Sequence, residues 1–388
     1  MKHGKSFVLS LIGASVLVGT TGARAGFGDP VSGLTADQQA RFVEGQEVFQ
    51  EVEDASDGLG PVFNEASCAT CHIDGGVGGG SDRVETRFGK ITNGAFDPLA
   101  NEGGSLMQDH AIGLANGVDF VPEVVPGDAT IVAGRRTTPL FGLGLVDAVP
   151  DPTFRDLARR EAFFNRRTAG RVANVTNIAT GQPAVGKFGW KAQVPSLQVF
   201  AGDAYLNEMG ITSPLFPNEN CPQGDCTLLA ANPRPDLNDD GTDVALFADF
   251  MTFLAPPPGP ARSRSVAYGA ALFAGIGCTD CHTPALQTGR NDVAALSRKT
   301  FFPYSDFLLH DMGTLGDGIA QGDAGQREMR TAPLWGLSKV TVFLHDGRTT
   351  SVEAAILAHD GQGARAANRF QALRADQKQR LVSFLKSL

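Results

Sequence analysis

Apolar residues recur at helical spacing in two segments, one about two-thirds of the way along the chain and one at its end. Residues 243–255 (DVALFADFMTFLA) and 375–388 (ADQKQRLVSFLKSL) both follow this pattern, and both contain Phe-Leu near their ends. The spacing predicts amphipathic helices. Near the start of the chain, Thr35 and Gln38 form a capping-box pattern, which predicts the beginning of a further helix.

A second pattern is repeated before these closing helices. Residues 136–143 (RTTPLFGL) correspond to residues 330–337 (RTAPLWGL). Each half of the chain therefore has the same order of helix, cysteine motif, R-T-x-P-L segment and closing helix, which indicates an internal repeat. Pro139 and Pro333 predict extended backbone within the two copies.

The cysteine motif of each half has the form Cys-x-x-Cys-His. The sequence CATCH occupies residues 68–72, and CTDCH occupies residues 278–282. Two thiols three residues apart can reach the two vinyl groups of one haem, and the following histidine can bind its iron, as in c-type haem attachment. The predicted cofactors are two covalently bound c-type haems. The residues predicted to bind them are Cys68, Cys71, His72, Cys278, Cys281 and His282.

Two other chemistries of paired cysteines fit this pattern less well. Zinc sites usually pair Cys-x-x-Cys units about 15–20 residues apart, whereas about two hundred residues separate these motifs. A zinc site also leaves the histidine after each motif unexplained. A thioredoxin-like pair opens the helix of a βαβ unit, and no such pattern surrounds either motif.

The predicted fold class is mainly α, with two cytochrome c-like helical domains related by internal duplication. A Pro- and Gly-rich linker (residues 256–262) separates an N-terminal domain (residues 26–255) from a C-terminal domain (residues 263–388). The first domain carries two long insertions, residues 75–132 and 151–186, which we expect to be loops with short helices. The second insertion includes a basic helical stretch (RDLARREAFFNRR), which we interpret as a solvated helix face.

The first residues have the pattern of a secretory signal peptide. Lys2 and Lys5 precede an apolar run, and an A-x-A cleavage site at residues 23–25 ends the predicted signal peptide (residues 1–25). No apolar run reaches the roughly 18 residues that a membrane span requires. We therefore expect a soluble protein that is exported to the periplasm. An uncleaved amphipathic or core helix is the alternative for the N-terminal run.

Charge and the remaining cysteines refine this expectation. The net charge of −9 argues against nucleic acid as a partner and permits docking of a basic electron carrier. Cys221 and Cys226 lie in a short polar loop, ENCPQGDC. In an oxidising compartment this spacing predicts a local disulfide, with a redox-active or metal-binding pair as the alternative.

Several segments together resemble the di-haem c-type oxidoreductase family, whose members are described as peroxidases or thiol oxidoreductases. The segments are GLGPVFNEASCATCH, FGWKAQVPSL, EMGITSPLFPNENC, PYSDFLLHDMG and MRTAPLWGL…FLHDGRTTSVEAAILAH, and they span nearly all of the mature chain. The wider group includes bacterial di-haem cytochrome c peroxidases and the di-haem enzyme that matures methylamine dehydrogenase. The resemblance implies that one haem relays electrons and that the other offers a site for peroxide.

The resemblance also implies roles for individual residues. His359 follows an HDG turn and the run SVEAAI, where relatives place a Met or Tyr ligand, so it is expected to bind the second iron together with His282. Trp190 matches a tryptophan between the haems of relatives, and Glu208 precedes Met-Gly as their distal acid does. Phe200 stands where relatives often carry Gln, which implies an apolar peroxide pocket.

Other residues allow several interpretations. His110, in the first insertion, is a candidate distal ligand or proton donor, with a surface histidine as the alternative and Met107 as the fallback ligand. We expect His310 to hydrogen-bond a propionate or backbone group and His345 to cap local structure. Residues 236–241 (DLNDDG) resemble the start of a calcium loop.

Calcium is nevertheless the second choice for that loop. Related peroxidases hold calcium between their domains, but Phe247 stands where a bidentate Glu is needed. A helix-entry turn is therefore the preferred interpretation.

The sequence thus predicts a periplasmic, peroxidase-like di-haem oxidoreductase. Peroxide would be reduced at the first haem, where Glu208 or His110 would move a proton. The second haem would feed electrons through Trp190 from a small electron carrier, either a cytochrome or a cupredoxin. The alternatives are a di-haem electron-transfer cytochrome without a substrate site and an oxidase that acts on thiols or on a partner protein.

Overall fold

A computed structural model describes residues 26–260 and 263–388. The predicted signal peptide (residues 1–25) and the end of the predicted linker (residues 261–262) lie outside the described residues. Of the described residues, 34% are helical and 17% lie in strands or bridges. None of the helices in this part of the chain combines the length and apolar character needed to span a membrane.

Helices form most of the scaffold around the two cysteine motifs. They are α1 (Ala36–Phe49), α2 (Cys68–Cys71), α3 (Leu143–Asp147), α4 (Asp151–Phe164), α5 (Leu197–Met209), α6 (Thr242–Phe253), α7 (Arg264–Gly275), α8 (Val352–Leu357), α9 (Ala364–Gln371) and α10 (Ala375–Leu385). The helices predicted near the linker and at the chain end are confirmed as α6 and α10. The predicted capping box of α1 is also confirmed, because Thr35 and Gln38 exchange hydrogen bonds of 3.0 and 3.2 Å.

The strands are short and pair antiparallel in small sheets. They are β1 (Val62–Phe63), β2 (Val84–Thr92), β3 (Ala95–Asp97), β4 (Leu106–Met107), β5 (His110–Ala111), β6 (Gly113–Ala115), β7 (Val118–Phe120), β8 (Ile131–Arg136), β9 (Ala173–Asn177), β10 (Gln182–Gly186), β11 (Leu286–Gln287), β12 (Thr300–Phe301), β13 (Leu309–Asp311) and β14 (Glu328–Arg330). β2 is the centre of the largest sheet and pairs with β3, β4 and β8. The other pairs are β1 with β5, β6 with β7, β9 with β10, β11 with β12, and β13 with β14.

The insertions of the N-terminal half contain more strand than the sequence analysis predicted. The expectation of loops with short helices is wrong for residues 84–132 of the first insertion, where β2 pairs with β8 over six residues, and for the β9–β10 hairpin of the second. Asn93 and Gly94 both have positive φ and turn β2 into β3. This is the Asn-Gly hairpin turn, so the Gly- and Asn-rich composition that suggested loops also builds tight turns between strands.

The first motif rests on the packing of α1 against α6. Gly45 of α1 lies against the backbone carbonyl of Leu246 on α6, where a side chain would clash. One turn later, the Phe49 ring lies 4.9 Å from the Phe250 ring and 5.9 Å from the His72 ring. A glycine at the crossing therefore lets the two helices approach closely behind the motif histidine.

The second motif rests on the packing of α7 against α10. Gly269 of α7 lies against the backbone carbonyl of Arg380 on α10, where a side chain would also clash. The Phe273 ring lies 5.5 Å from the Phe384 ring and 6.1 Å from the His282 ring. The arrangement of glycine, phenylalanine and motif histidine is thus the same as in the first half.

A buried charge cluster joins the two halves. Asp317 lies 2.8 Å from Lys191 Nζ and 2.8 Å from Arg135 Nη2, and all three side chains are at most 2% exposed. Lys191 also donates a hydrogen bond of 2.6 Å to the Glu328 carbonyl. Because buried charges require partners, this cluster fixes the chain around residue 190 against the C-terminal half.

Replacement of Asp317 by Asn should therefore destabilise the protein strongly. Two buried cations would lose their counter-charge, and the free energy of unfolding should fall by about 3–5 kcal/mol. Urea unfolding followed by circular dichroism measures this change. Asp128→Asn is the matched control, since Asp128 pairs with Lys90 at the surface, and it should change stability little. Equal, small effects of both substitutions would contradict the structural role of the cluster.

Candidate active site

Each cysteine motif lines a large cavity. The first cavity encloses about 1540 Å³ and the second about 1480 Å³, and both volumes include space open to solvent. The residues that define the first cavity are Cys68, Cys71, His72, Trp190 and Glu208. Those that define the second are Trp190, Cys278, Cys281, His282 and His359.

The histidine of each motif is oriented by a backbone carbonyl. The Nδ1 atom of His72 lies 2.9 Å from the Gly79 oxygen, and that of His282 lies 2.9 Å from the Tyr304 oxygen. Metal-binding histidines are commonly held in this way, with one ring nitrogen donating to a carbonyl and the other free for the metal. Burial lowers the pKa of both rings to about 4, so each is neutral at pH 7, the form that binds iron.

His359 lies beside His282 in the second cavity. Their ring centroids are 6.4 Å apart. Two imidazoles that bind one metal ion from opposite sides have centroids about 6 Å apart, since each metal–nitrogen bond is about 2 Å long and the nitrogen lies about 1 Å from the centroid. The Nδ1 atom of His359 lies 2.9 Å from the Ala355 oxygen, and burial lowers the pKa of the ring. The pair therefore fits an iron ion held between two imidazoles.

The cysteines of the motifs are free thiols, in contrast to the other two. Burial raises the pKa of Cys68, Cys71 and Cys278 to about 12. These three thiols are therefore protonated, and all four motif cysteines line the cavities. Cys221 and Cys226 form the predicted disulfide.

A pair of carboxyl groups lines the first cavity next to the motif. Arg87 binds Glu85 through two hydrogen bonds of 2.8 and 3.2 Å, and Asn64 donates a hydrogen bond of 2.7 Å to Glu208. Burial and the charge of Glu85 raise the pKa of Glu208 to about 8. Burial would also raise the pKa of Glu85, but the charge and hydrogen bonds of Arg87 together with the charge of Arg135 outweigh it, and the pKa is lowered. At pH 7 Glu208 thus holds a proton while Glu85 is ionised. Two carboxyl groups whose pKa values are shifted apart in this way can act as a proton donor and a charged neighbour.

Two arginines, the partly buried Arg136 and the buried Arg330, line the cavities without a carboxylate partner in the described residues. Arg136 donates to the Leu344 carbonyl at 3.0 Å, and Arg330 donates to the Gly189 carbonyl at 2.6 Å. Burial lowers the pKa of both guanidinium groups to about 10. A buried cation needs an anion close by, and the carboxylate groups of a haem would supply it. The arginines come from the two R-T-x-P-L segments.

Trp190 lines both cavities. Its indole nitrogen donates a hydrogen bond of 3.0 Å to the Arg136 carbonyl, and its ring lies edge-on to the His345 ring with centroids 6.2 Å apart. His345 lines only the second cavity of the two. Trp190 and His345 therefore form an aromatic contact between the two sites, whereas the sequence suggested only a capping role for His345.

His110 lies outside the first cavity. Its side chain is 52% exposed, pairs with Asp109 at 2.6 Å and stacks on Phe63 with centroids 5.6 Å apart. Met107, the fallback ligand, does not line the first cavity either. Among the described residues, His72 is the only histidine that lines it. The geometry therefore does not support the predicted roles of His110 and Met107, and the surface alternative for His110 fits.

His310 is held by a carboxylate rather than by backbone. Its Nε2 atom lies 2.9 Å from Asp306, and its Nδ1 atom lies 3.5 Å from the sulfur of Cys281. Both ring nitrogens are engaged, so His310 is not placed to bind iron. Met312 and Met329 also line the second cavity.

The loop that resembles a calcium site forms the entry turn of α6. Asp239 accepts a hydrogen bond from the Asp243 N–H at 3.1 Å, and Asp240 accepts one from the Thr242 N–H at 3.0 Å. These carboxylates thus cap the helix, as the preferred interpretation of the sequence has it.

Glu85 and Arg87 are candidates that the sequence analysis missed. They occupy alternate positions of β2, so their side chains leave the same face of the strand. The sequence V-E-T-R-F shows the two residues at alternate positions, but this spacing places both side chains on one face only if the segment is a strand. Because the insertion was predicted to be a loop, the pair was not recognised.

Residues 121–388 match the family described as "Di-haem oxidoreductase, putative peroxidase". No curated protein matches the chain significantly.

Three solved structures are similar to the chain at low sequence identity. Hydrazine synthase from Kuenenia stuttgartiensis has 13% identity and a TM-score of 0.39, with 99% of this chain and 100% of that chain covered. A MauG-like protein associated with microbial copper homeostasis has 15% identity and a TM-score of 0.40, with 92% of each chain covered. The diheme peroxidase BthA of Burkholderia thailandensis has 14% identity and a TM-score of 0.32, with 74% of this chain and 94% of that chain covered.

The protonated state of Glu208 can be tested by infrared spectroscopy. Because its pKa is about 8, a protonated carboxyl band should disappear as pH rises through that value, and Glu208→Gln should remove the band. Arg87→Met should move the loss of the band to higher pH, since the nearby cation favours the ionised form, whereas Arg87→Lys should move it less.

Glu219 provides the matched control for this titration. Burial raises its pKa to about 8 as well, but it does not line the first cavity. Glu219→Gln should remove a separate band that does not respond to substitution of Arg87. An unchanged carboxyl band in Glu208→Gln would show that Glu208 is ionised at neutral pH.

Proposed function

Because the chain belongs to the di-haem oxidoreductase family, we propose that it is an exported enzyme that reduces peroxide at its first cavity with electrons that enter through the second. The observation that carries this proposal is the difference between the cavities. The second contains two histidines at a spacing that suits one iron, whereas the first contains one histidine and a buried carboxylic acid. One iron would then have a free coordination position and the other would have none.

The residues of the motifs would hold the two cofactors covalently. Cys68 and Cys71 would form thioethers at the first haem, and His72 would bind its iron. Cys278 and Cys281 would do so at the second haem, whose iron the neutral imidazoles of His282 and His359 would bind. When bound, the haems supply the iron that meets peroxide and exchanges electrons.

Arg136 and Arg330 would orient the haems through their carboxylate groups. Both side chains line the cavities and are held by backbone carbonyls. Charge-assisted hydrogen bonds to carboxylates are stronger than neutral ones. The two arginines would therefore fix the position of each haem relative to Trp190.

Glu208 would supply the proton that cleaves the O–O bond. Reduction of hydrogen peroxide consumes two electrons and two protons and yields two molecules of water. Glu208 holds its proton at neutral pH because burial and Glu85 raise its pKa to about 8. Asn64 donates to one oxygen of the carboxyl group and orients it. Glu85, kept ionised by Arg87, favours return of a proton to Glu208 after each turnover.

Trp190 and His345 would provide the route between the cavities. Their rings are in edge-on contact. Trp190 lines both cavities, and His345 lines the second. Phe200 also lines the first cavity, in place of the Gln expected from the resemblance. Its apolar side chain cannot donate a hydrogen bond to peroxide, so the acid function rests on Glu208.

The two-domain organisation and the internal duplication remain part of this proposal. In each half, one helix contributes a glycine at a close helix contact and a phenylalanine beside the motif histidine. This correspondence between α1 with His72 and α7 with His282 supports a duplicated unit with one haem in each copy. The hydrophobic core is not divided at residues 256–262, because Phe307 and Trp335 of the C-terminal half belong to the same core as α1 and α6. Export to the periplasm is supported by the signal-peptide pattern and by the disulfide, which needs an oxidising compartment.

Turnover of Glu208→Gln tests the proposed function. The loss of the acid should lower peroxide turnover by about 10²–10⁴-fold, while azide affinity at the first haem stays nearly the same. In the native enzyme, turnover should be full below about pH 8 and fall as pH rises through the pKa of Glu208. The variant should not show this fall. Glu219→Gln is the control and should behave as the native enzyme. Full turnover in Glu208→Gln would refute the acid role, and absence of any response to peroxide would favour a pure electron-transfer protein.

Replacement of His359 by Gly tests the ligands of the second iron. The iron would lose one imidazole, and its electron paramagnetic resonance signal should change from low spin to high spin. His110→Gly removes an exposed histidine and should leave the spectrum unchanged. If His359→Gly keeps the native spectrum, the ligand is Met312 or Met329, which line the same cavity.

A further inference from the structure

The end of α4 carries an exposed apolar and basic surface, which we call the α4 patch (residues 159–167). Phe163 is 79% exposed and Phe164 is 73% exposed. Their rings contact each other edge-on with centroids 4.8 Å apart. Two large adjacent aromatic side chains in solvent are costly unless another surface covers them, so they mark a site of interaction. The interpretation of this stretch as a solvated helix face accounts for the arginines but not for these rings.

The α4 patch is strongly basic within an acidic protein. Arg159, Arg160, Arg166 and Arg167 flank the two phenylalanines in the sequence and are exposed. Arg159 pairs with Asp156, and the other three form no ion pair with the described residues. The net charge of the chain is −9. A local concentration of positive charge in such a protein attracts a negatively charged surface.

The α4 patch lies next to the second cavity. Thr168 follows Phe164 by four positions, a stretch that can span at most about 14 Å. Thr168 lines the second cavity, and its carbonyl oxygen lies 3.8 Å from the sulfur of Cys281. The next residue, Ala169, accepts a hydrogen bond of 2.8 Å from Gln362, which also lines the cavity. The segment after the patch is therefore anchored to the edge of the second haem site.

We propose that the α4 patch is the docking surface for an acidic redox protein that delivers electrons to the second haem. An apolar centre surrounded by charge is the usual anatomy of a transient interface, and opposite charge speeds the encounter. In each encounter one electron leaves the reduced donor and is accepted by the ferric haem, and no atom or proton is transferred. The identity of the acceptor rests on the proposed function. The partner is thus acidic, whereas the overall charge of the chain suggested a basic carrier.

An anionic membrane fits the α4 patch less well. A helix that lies in a membrane interface exposes an apolar face along its length. In α4 the buried side chains are Phe154 and the acidic Glu161, so the helix does not expose such a face. The exposed apolar surface is confined to its last turn. This is enough to seat a small protein surface but not to anchor a helix in lipid.

The test uses a reduced plant-type [2Fe–2S] ferredoxin as the acidic one-electron donor and the haem-loaded protein. Arg160→Glu/Arg167→Glu reverses the charge of the patch. Arg264→Glu/Lys386→Glu is the control, because it changes net charge equally on α7 and α10. Calorimetry gives the Kd for ferredoxin, and stopped-flow absorbance gives the rate of haem reduction.

The patch variant should bind ferredoxin more weakly and accept electrons about 10- to 10³-fold more slowly at low ionic strength. The control should match the native protein, and reduction by dithionite should be the same in all three. Phe163→Ser/Phe164→Ser should weaken binding but keep its dependence on salt. Equal Kd values and rates in the patch variant and the control would overturn the proposal.

Two other occupants would give different results. If the patch bound lipid, the substitutions would abolish binding to phosphatidylserine vesicles without changing the ferredoxin rate. If it bound a second copy of this chain, they would change the sedimentation coefficient and leave that rate unchanged. Either result overturns the docking proposal.

Peroxide turnover with a small-molecule reductant separates the two proposals. If the native protein does not reduce peroxide but still takes electrons from ferredoxin through the patch, the proposed function fails and the docking surface stands. If peroxide turnover is normal and the patch has no effect, only the docking surface fails.

Discussion

The orientation of three neutral histidine rings at the cavities is the constraint on which the rest of the structure depends. Each of His72, His282 and His359 has one ring nitrogen hydrogen-bonded to a backbone carbonyl at 2.9 Å and keeps the other for a ligand. An imidazole nitrogen left free inside a protein cavity is unfavourable unless a metal or a hydrogen-bond donor meets it. The helices behind the motifs, the close glycine contacts and the extended R-T-x-P-L segments all serve to position these rings around two cavities.

The two cavities differ in chemistry. In the second, the imidazoles of His282 and His359 would hold an iron that exchanges electrons. In the first, burial acts on a carboxyl group and keeps Glu208 protonated at neutral pH. The neighbouring Glu85 strengthens this effect, while Arg87 keeps Glu85 ionised. In the proposed function, the same low dielectric favours a neutral metal ligand in one half and a proton donor in the other.

The sequence was sufficient for features that depend on local spacing. The cysteine motifs, the capping box at Thr35, the helices α6 and α10, and the disulfide of Cys221 all follow from neighbouring residues. His359 and Trp190 came from resemblance, and the structure brings each to the cavity it was assigned to. Features that depend on pairing between distant segments were missed. Glu85 and Arg87 reach the first cavity only because β2 pairs with β8, and His110 is kept from it by exposure that the sequence does not reveal.

The central claim is that one iron would have a free coordination position and the other would have none. Electron paramagnetic resonance and absorption spectra of the ferric native protein, recorded with and without cyanide, test it most directly. The account predicts one low-spin haem that ignores cyanide and one high-spin haem that becomes low-spin when cyanide binds. Two low-spin haems that both ignore cyanide, in the ferric and the ferrous protein, would contradict it.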